Sequence, residues 1–154
     1  MVEFKNRYMV MEVFLDPNRG IRVDDPIELT KNNVMEAIGN SIRVTARDFS
    51  LHLSLKSFKV KYVNPITKIC IIRASREDHR EVWQAITLIT RIKDYPVIFN
   101  LLKLTGSIEA CKKAGQKCEE SKFEQYKLIV GSQPSPKAVQ KHQNCLEELK
   151  RLEP

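Results

Sequence analysis

The segment 58–74 constrains the fold more than any other part of the sequence, because it is typical of a β-hairpin. Residues 58–63 alternate apolar and basic side chains, as a half-buried strand does, and residues 69–72 are apolar on both faces, as in a central strand. Between them lies Asn64-Pro65-Ile66-Thr67, a turn sequence with proline at its second position. If Asn64 pairs with Thr67, three further pairs follow: Tyr62 with Ile69, Val60 with Ile71 and Phe58 with Arg73. A β-bulge would shift this register.

A strand and a helix are predicted before this hairpin. Residues 7–14 are rich in strand formers, and the residues at 16–26 are typical of a turn and a polar loop. Thr30 is a suitable N-cap residue, because its hydroxyl can accept a hydrogen bond from a free backbone N–H. Apolar residues at helical spacing then predict a helix that ends between 45 and 48.

A second helix and a fourth strand are predicted after the hairpin. Ser75 is expected to open the helix, and residues 97–104 form the strand. The buried stripe of this helix comprises Val82, Trp83, Ile86 and Ile89. The order strand, helix, strand, strand, helix, strand predicts an α/β (α+β) fold of the ferredoxin-like or RRM-like split β-α-β type, with an antiparallel sheet. Two helices cover one face of such a sheet, and the other face is free for a ligand, a partner or an added helix.

The C-terminal part of the chain predicts helical extensions. A turn at 105–107 leads into a third helix, which completes a single domain at 1–130. Residues 131–154 are interpreted as a linker rich in glycine, serine and proline, followed by a short amphipathic helix at 138–152. Its apolar side would carry Val139, His142, Leu146 and Leu149. This helix either docks on the domain or remains mobile.

The composition narrows the possible functions. Among 154 residues, 26 Lys+Arg stand against 19 Asp+Glu, a net charge of +7 that favours polyanionic partners. The four cysteines form no C-x-x-C pair, so neither a zinc site nor any other bound cofactor is expected. No apolar run approaches the ~20 residues of a membrane span, and no membrane partner is expected. The sequence also lacks a glycine-rich phosphate loop and a nucleophile elbow, so the chain is not expected to be an enzyme by itself.

The densest positive segment is 56–80, where seven cations stand against two carboxylates, seven minus two or +5 of the total. Lys59 and Lys61 alternate with apolar residues, so they would share one strand face and could follow a phosphate backbone. A solvated strand face explains the same pattern equally well. Arg73, Arg76 and Arg80 cluster at the junction of strand and helix, where they could bind phosphate or pair with neighbouring carboxylates.

The central strand argues against reading of single-stranded bases. RNA-recognition motifs stack bases on aromatic residues of that strand. Residues 66–74 contain neither an aromatic residue nor a glycine, and Tyr8 is the only loosely placed candidate. Contacts with the backbone of a folded RNA fit the sequence better.

These residues resemble a known family, the fifth Pop subunit of ribonuclease P and RNase MRP, and most closely its plant members. Lys5-Asn6-Arg7-Tyr8 with Met11-Glu12 is similar to the opening strand of that family, and 60–68 with Ile71-Ile72-Arg73 to its central hairpin. Further similarity covers Arg76, His79-Arg80, Val82-Trp83 and Gly106-Ser107-Ile108 with Cys111. The resemblance runs from Lys5 to about Tyr126.

The resemblance implies a non-catalytic subunit of a ribonucleoprotein that processes precursor tRNA and precursor rRNA. It implies the catalytic RNA, a TIM-barrel-like protein subunit and other subunits as partners, magnesium held at the RNA, and localisation to the nucleus and nucleolus. Carried over to this sequence, the RNA-binding candidates are Lys5, Arg7, Lys59, Lys61, Arg73, Arg76 and Arg80. The alternative is a protein–protein interaction module in a larger assembly, without direct RNA contact.

Overall fold

A computed structural model describes residues 5–15, 27–49, 53–131 and 134–154, without the side chains of 48 and 49. The turn and loop predicted at 16–26 lie outside the described residues. The strands are β1 (Asn6–Leu15), β2 (Phe58–Asn64), β3 (Ile69–Ser75), β4 (Arg91–Ile92) and β5 (Tyr95–Thr105). The helices are α1 (Lys31–Phe49), α2 (His79–Thr87), α3 (Ile108–Ile129) and α4 (Pro136–Lys150).

The strands form one antiparallel sheet in the order β2-β3-β1-β5-β4. Without β4, this order is that of the ferredoxin-like split β-α-β fold, so the predicted fold is confirmed. The two-residue strand β4 was not predicted. It pairs with the start of β5 through Arg91 opposite Pro96 and Ile92 opposite Tyr95.

Both faces of the sheet are covered. Met9, Met11 and Val13 on β1 belong to a core with buried residues of α1 and α2. Tyr8 and Val10, the alternate residues of β1, belong to a second core with buried residues of α3 and α4. The face that the sequence left for a ligand, a partner or an added helix therefore carries two added helices.

The predicted register of the hairpin is wrong. Tyr62 lies opposite Ile71, not Ile69, and Phe58 lies opposite Ala74, not Arg73. Two features cause the shift: the turn is longer, with Asn64 still paired to Ile69, and a bulge lies between Val60 and Tyr62. The turn closes through the Lys68 N–H, which donates to the Asn64 carbonyl over 2.8 Å. Lys68 adopts a φ of 63°, a left-handed conformation that favours glycine. Because the turn contains no glycine, the sequence does not indicate this conformation.

The N-terminus of α1 forms as predicted. The Asn33 N–H donates to Thr30 Oγ1 over 3.1 Å, and the Thr30 N–H donates to Asn33 Oδ1 over 2.9 Å. This reciprocal pair is a capping box with asparagine in place of the usual glutamate or glutamine. Leu29 and Val34 on either side are both buried in the core.

The start of α2 and one residue of its stripe were predicted wrongly. Ser75 still belongs to β3, where it pairs with Asn6, and the Asp78 N–H donates to Ser75 Oγ over 3.1 Å in a turn that precedes the helix. The helix therefore begins at His79. Within the helix Ala85 is buried, and Trp83 is 37% exposed.

The C-terminal helix α4 docks on the second face of the sheet. The buried residues of α4 are Ala138, His142, Cys145 and Leu149, so Ala138 and Cys145 replace the predicted Val139 and Leu146. Leu149 contacts the helix α3 at Gly115, where an added Cβ would lie 3.3 Å from both Leu149 methyl groups. The small residue thus allows the two helices to approach closely.

Candidate nucleic-acid interface

The sheet brings most of the candidate RNA-binding residues to one end. At this end β1 begins, β3 ends and β2 begins, because the three strands are antiparallel neighbours. The cross-strand partners are Asn6 with Ser75, Arg7 with Ala74, Tyr8 with Arg73 and Lys59 with Arg73. We call the seven candidates the basic surface: Lys5, Arg7, Lys59, Lys61, Arg73, Arg76 and Arg80.

Lys59 and Arg73 lie directly opposite each other on β2 and β3. Arg73 also lies opposite Tyr8, which is buried beneath α3 and α4, so all three side chains project from that face of the sheet. Like charges directly opposite one another destabilise a sheet. The charges of this pair therefore do not stabilise the fold, but they are suited to bind an anion.

Lys61 extends the pair along the edge strand β2, in the bulge where the register shifts. Burial lowers the pKa of the Lys61 ammonium. Three cations lower the same pKa further by charge repulsion: Arg73, Lys59 and Lys31. We call these four residues the Lys61 cluster. Lys31, the first residue of α1, was missed by the sequence reasoning, because only the fold brings it near β2.

The remaining candidates lie around the junction of β3 and α2. The Arg76 N–H donates to the Lys5 carbonyl over 2.9 Å, so the two backbones are joined just beyond the sheet. Arg7 Nη1 donates to the Asn6 carbonyl over 3.0 Å, and an added Cβ on Gly106 would lie 3.4 Å from that nitrogen. Arg76 lies in the turn before α2, whereas Arg80 lies in the first turn of the helix.

Within the described ranges, the basic surface has no carboxylate partner at close range. Among the described residues, none of its seven cations forms an ion pair within 4.0 Å. The pairing of the arginines with Glu77 or Glu81, which the sequence allowed, is therefore absent from this part of the chain. Cations that remain unpaired at one end of a sheet are available to phosphate groups.

A buried polar network fixes the hairpin that carries Lys59 and Lys61. Glu119 on α3 is fully buried and accepts hydrogen bonds from Tyr62, from Asn64 Nδ2 at 2.5 Å and from Thr67 Oγ1 at 2.5 Å. Burial raises the pKa of Glu119, although these hydrogen bonds favour its ionised form. Asn64 Oδ1 accepts from the Ile66 N–H, which sets the orientation of the amide.

The same network reaches α4 through His142. Asn64 Nδ2 lies 3.0 Å from His142 Nδ1, and because an amide nitrogen can only donate, Nδ1 is the acceptor and Nε2 carries the proton. Burial lowers the pKa of His142. The imidazole ring stacks on Phe123 of α3 at 3.9 Å between centroids. These contacts hold the hairpin, α3 and α4 together on one side of the sheet.

The described residues contain no arrangement for metal or membrane chemistry. No three of their His, Cys, Asp and Glu side chains come together as a metal site requires. In the same part of the chain, no helix has the length and apolar character to cross a bilayer.

The fold and this surface define a class: a ferredoxin-like domain with a cationic sheet end and both sheet faces covered by helices. A profile of the Rpp14/Pop5 family matches residues 7–116, which is most of the chain. The chain belongs to the Rpp14/Pop5 family, as the resemblance in the sequence indicated.

Two curated relatives support this assignment, and one solved structure has a similar fold. A protein of Arabidopsis thaliana named probable ribonuclease P/MRP protein subunit POP5 is 49% identical over 154 residues, which cover 99% of each chain. The ribonuclease P/MRP protein subunit POP5 of Schizosaccharomyces pombe is 29% identical over 87% of this chain and 98% of its own length. A chain in a structure of yeast ribonuclease MRP matches with a TM-score of 0.51 and 13% identity, over 79% of this chain and 96% of that chain. This last likeness concerns the fold alone.

Proposed function

We propose that this chain is a non-catalytic protein subunit of the ribonuclease P/MRP ribonucleoprotein and binds its RNA through the basic surface. The observation that carries the RNA contact is the Lys59–Arg73 pair, two opposed cations with no carboxylate within 4.0 Å among the described residues. The names of the curated relatives support the particle.

The basic surface would act by charge neutralisation. Each phosphate neutralised by lysine or arginine releases condensed counterions, and the resulting affinity falls steeply with salt. Because Arg73 presents a planar fork and Lys59 a point charge, the pair can hold phosphate groups in a fixed position without reading bases. The protein would thereby stabilise a fold of the RNA, which performs the hydrolysis with magnesium that the RNA holds.

The same proposal specifies the reaction of the particle and its location in the cell. The particle would cleave precursor tRNA at its 5′ end and process precursor rRNA, in the nucleus and nucleolus. This chain would contribute no reacting group.

Exposed apolar side chains would bind the protein partners that we propose, which include a TIM-barrel-like subunit. Phe14 and Ile98 are cross-strand partners on β1 and β5, 42% and 51% exposed. Trp83 and Leu88 at α2 are also exposed. Large exposed apolar side chains that lie side by side are typical of protein contacts. Such contacts would hold the chain in the particle independently of the RNA.

A tagged chain recovered from cells tests this function. We expect ribonuclease P or MRP RNA to copurify with protein subunits, together with cleavage of precursor tRNA. Charge reversal of Lys59 and Arg73 should reduce the recovered RNA while the protein partners remain. If proteins but no such RNA are recovered with the unaltered chain, the RNA contact is wrong and the chain is an interaction module.

A further inference from the structure

The helix α4 ends beside the Lys61 cluster. It packs along the edge strand β2, where Cys145 Sγ lies 3.9 Å from the Val63 carbonyl. Its last buried residue is Leu149, and Leu152 just beyond the helix is also buried. Three acidic residues lie in the last turn of α4 and just beyond it: Glu147, which pairs with Arg151 at 3.7 Å, Glu148 and Glu153. The end of α4 therefore brings carboxylates to the strand edge that carries Lys59 and Lys61.

Two of these carboxylates act on members of the cluster. Glu148 Oε1 lies 2.8 Å from Lys31 Nζ, an ion pair between α4 and α1. Glu153 acts on Lys61, whose pKa it raises against the lowering by burial and by the neighbouring cations. A polyanion that approaches the cluster must displace Glu148 from Lys31 and overcome the repulsion of Glu153, because charges still interact over ~8–10 Å in physiological salt.

We propose that the acidic end of α4 attenuates polyanion binding at the Lys61 cluster, with Glu148 and Glu153 as built-in competitors for phosphate. This inference rests on the proposed function only where it identifies the polyanion as RNA. The helix lies outside residues 7–116, the part of the chain that the family profile matches. It therefore modulates a surface that the shared part of the fold already builds.

Attenuation would serve discrimination between RNAs. A weak, sequence-independent hold on any polyanion is the default behaviour of a cluster of cations. Carboxylates at the same place lower this background affinity, whereas an RNA whose shape supplies further contacts elsewhere on the basic surface can still displace them. The gain is specificity at a small loss of affinity.

The test compares two full-length double variants with equal change in net charge. Glu148→Gln/Glu153→Gln removes the competitors, and Glu120→Gln/Glu124→Gln removes two carboxylates of α3, where Glu124 pairs with Lys127. The probe is heparin, so the result does not depend on the natural ligand. We expect the first variant to bind heparin about two- to fivefold more tightly at 0.1 M salt, the range that the removal of exposed ion pairs gives. The control variant should bind like the unaltered chain.

A second measurement addresses the mechanism directly. Glu153→Gln should lower the pKa of Lys61, measured by NMR titration of the lysine side chain, because a charge that raises it is removed. Unchanged heparin affinity, an equal gain in the control, or an unchanged Lys61 pKa would each overturn the inference. The proposed function is judged separately: if the unaltered chain binds heparin but no ribonuclease P or MRP RNA, the RNA assignment fails while the competition by α4 stands on the heparin result.

Discussion

Glu119 on α3 and Asn64 at the end of β2 are joined by a buried hydrogen bond of 2.5 Å from the amide to the carboxylate. With the bonds from Tyr62 and Thr67, it ties the β2–β3 hairpin to the helix that covers it. The position of the basic surface thus depends on a polar cluster at the opposite end of the hairpin.

Replacement of Glu119 by leucine should strongly destabilise the protein. Three buried donors would lose their acceptor, so we expect the free energy of unfolding to fall by about 2–4 kcal/mol in urea titrations at pH 7. Glu119→Gln is the control: its oxygen can accept from Tyr62 and Asn64, and its amide can donate to the Thr67 hydroxyl. If the two variants are equally stable, the network contributes little.

The stability of the protein should depend on His142 below pH 6.5. The folded state lowers the pKa of His142, so its contribution is present above the unfolded value of about 6.5 and is lost as the pH falls through the lower folded value. His142→Phe keeps a ring against Phe123 but cannot titrate. The stability advantage of the unaltered chain over this variant should shrink between pH 7 and pH 5. An advantage independent of pH would contradict the account.

Two helical glycines should respond differently to substitution. A Cβ on Gly115 would lie 3.3 Å from two methyl groups of the buried Leu149, so Gly115→Val should destabilise the protein by about 1–3 kcal/mol through overpacking. A Cβ on Gly39 would meet the Leu55 side chain at 2.7 Å, but Leu55 is 51% exposed and can move. Gly39→Ala should therefore be neutral or stabilising by up to about 1 kcal/mol, because alanine favours helix. Thermal unfolding of both variants checks this contrast.

The pKa of Lys61 should report on its cationic neighbours. Because Arg73 lowers it by repulsion, Arg73→Gln should raise it, and a bound polyanion should raise it in the unaltered chain. Arg76→Gln, which neutralises an arginine in the turn before α2, is the matched control. NMR titration of the lysine side chains measures all three. A shift as large in the control as in Arg73→Gln would contradict the cluster.

The sequence predicts the architecture well, because periodicity and turn residues specify it. The Thr30 cap and the order of the four main strands follow from local patterns. The hairpin register does not, since a bulge at Lys61 and a left-handed Lys68 are not visible in the pattern. Trp83 was assigned to the buried stripe because it lies at helical spacing from Ile86, but the structure buries Ala85 instead.

Only part of the candidate site can be predicted from the sequence, because the hairpin register and tertiary packing bring its residues together. Lys59 and Arg73 both lie in the most positive segment of the sequence, but only the observed register places them opposite each other. Lys31 and Glu153 carry no local signal, because tertiary packing alone brings them to Lys61. The RNA contacts of the seven candidate residues stay predictions.

The most direct test of the central claim is the salt dependence of binding to a ribonuclease P RNA catalytic domain. Lys59→Gln/Arg73→Gln is compared with Lys93→Gln/Lys137→Gln, which neutralises two exposed lysines in the β4–β5 turn and in the first turn of α4. The account predicts that the first variant binds roughly tenfold more weakly at 0.15 M salt, with a log–log salt slope reduced by about 1.5–2, while the second keeps the affinity and slope of the unaltered chain. Equal affinity and slope in all three proteins would contradict an RNA contact at Lys59 and Arg73.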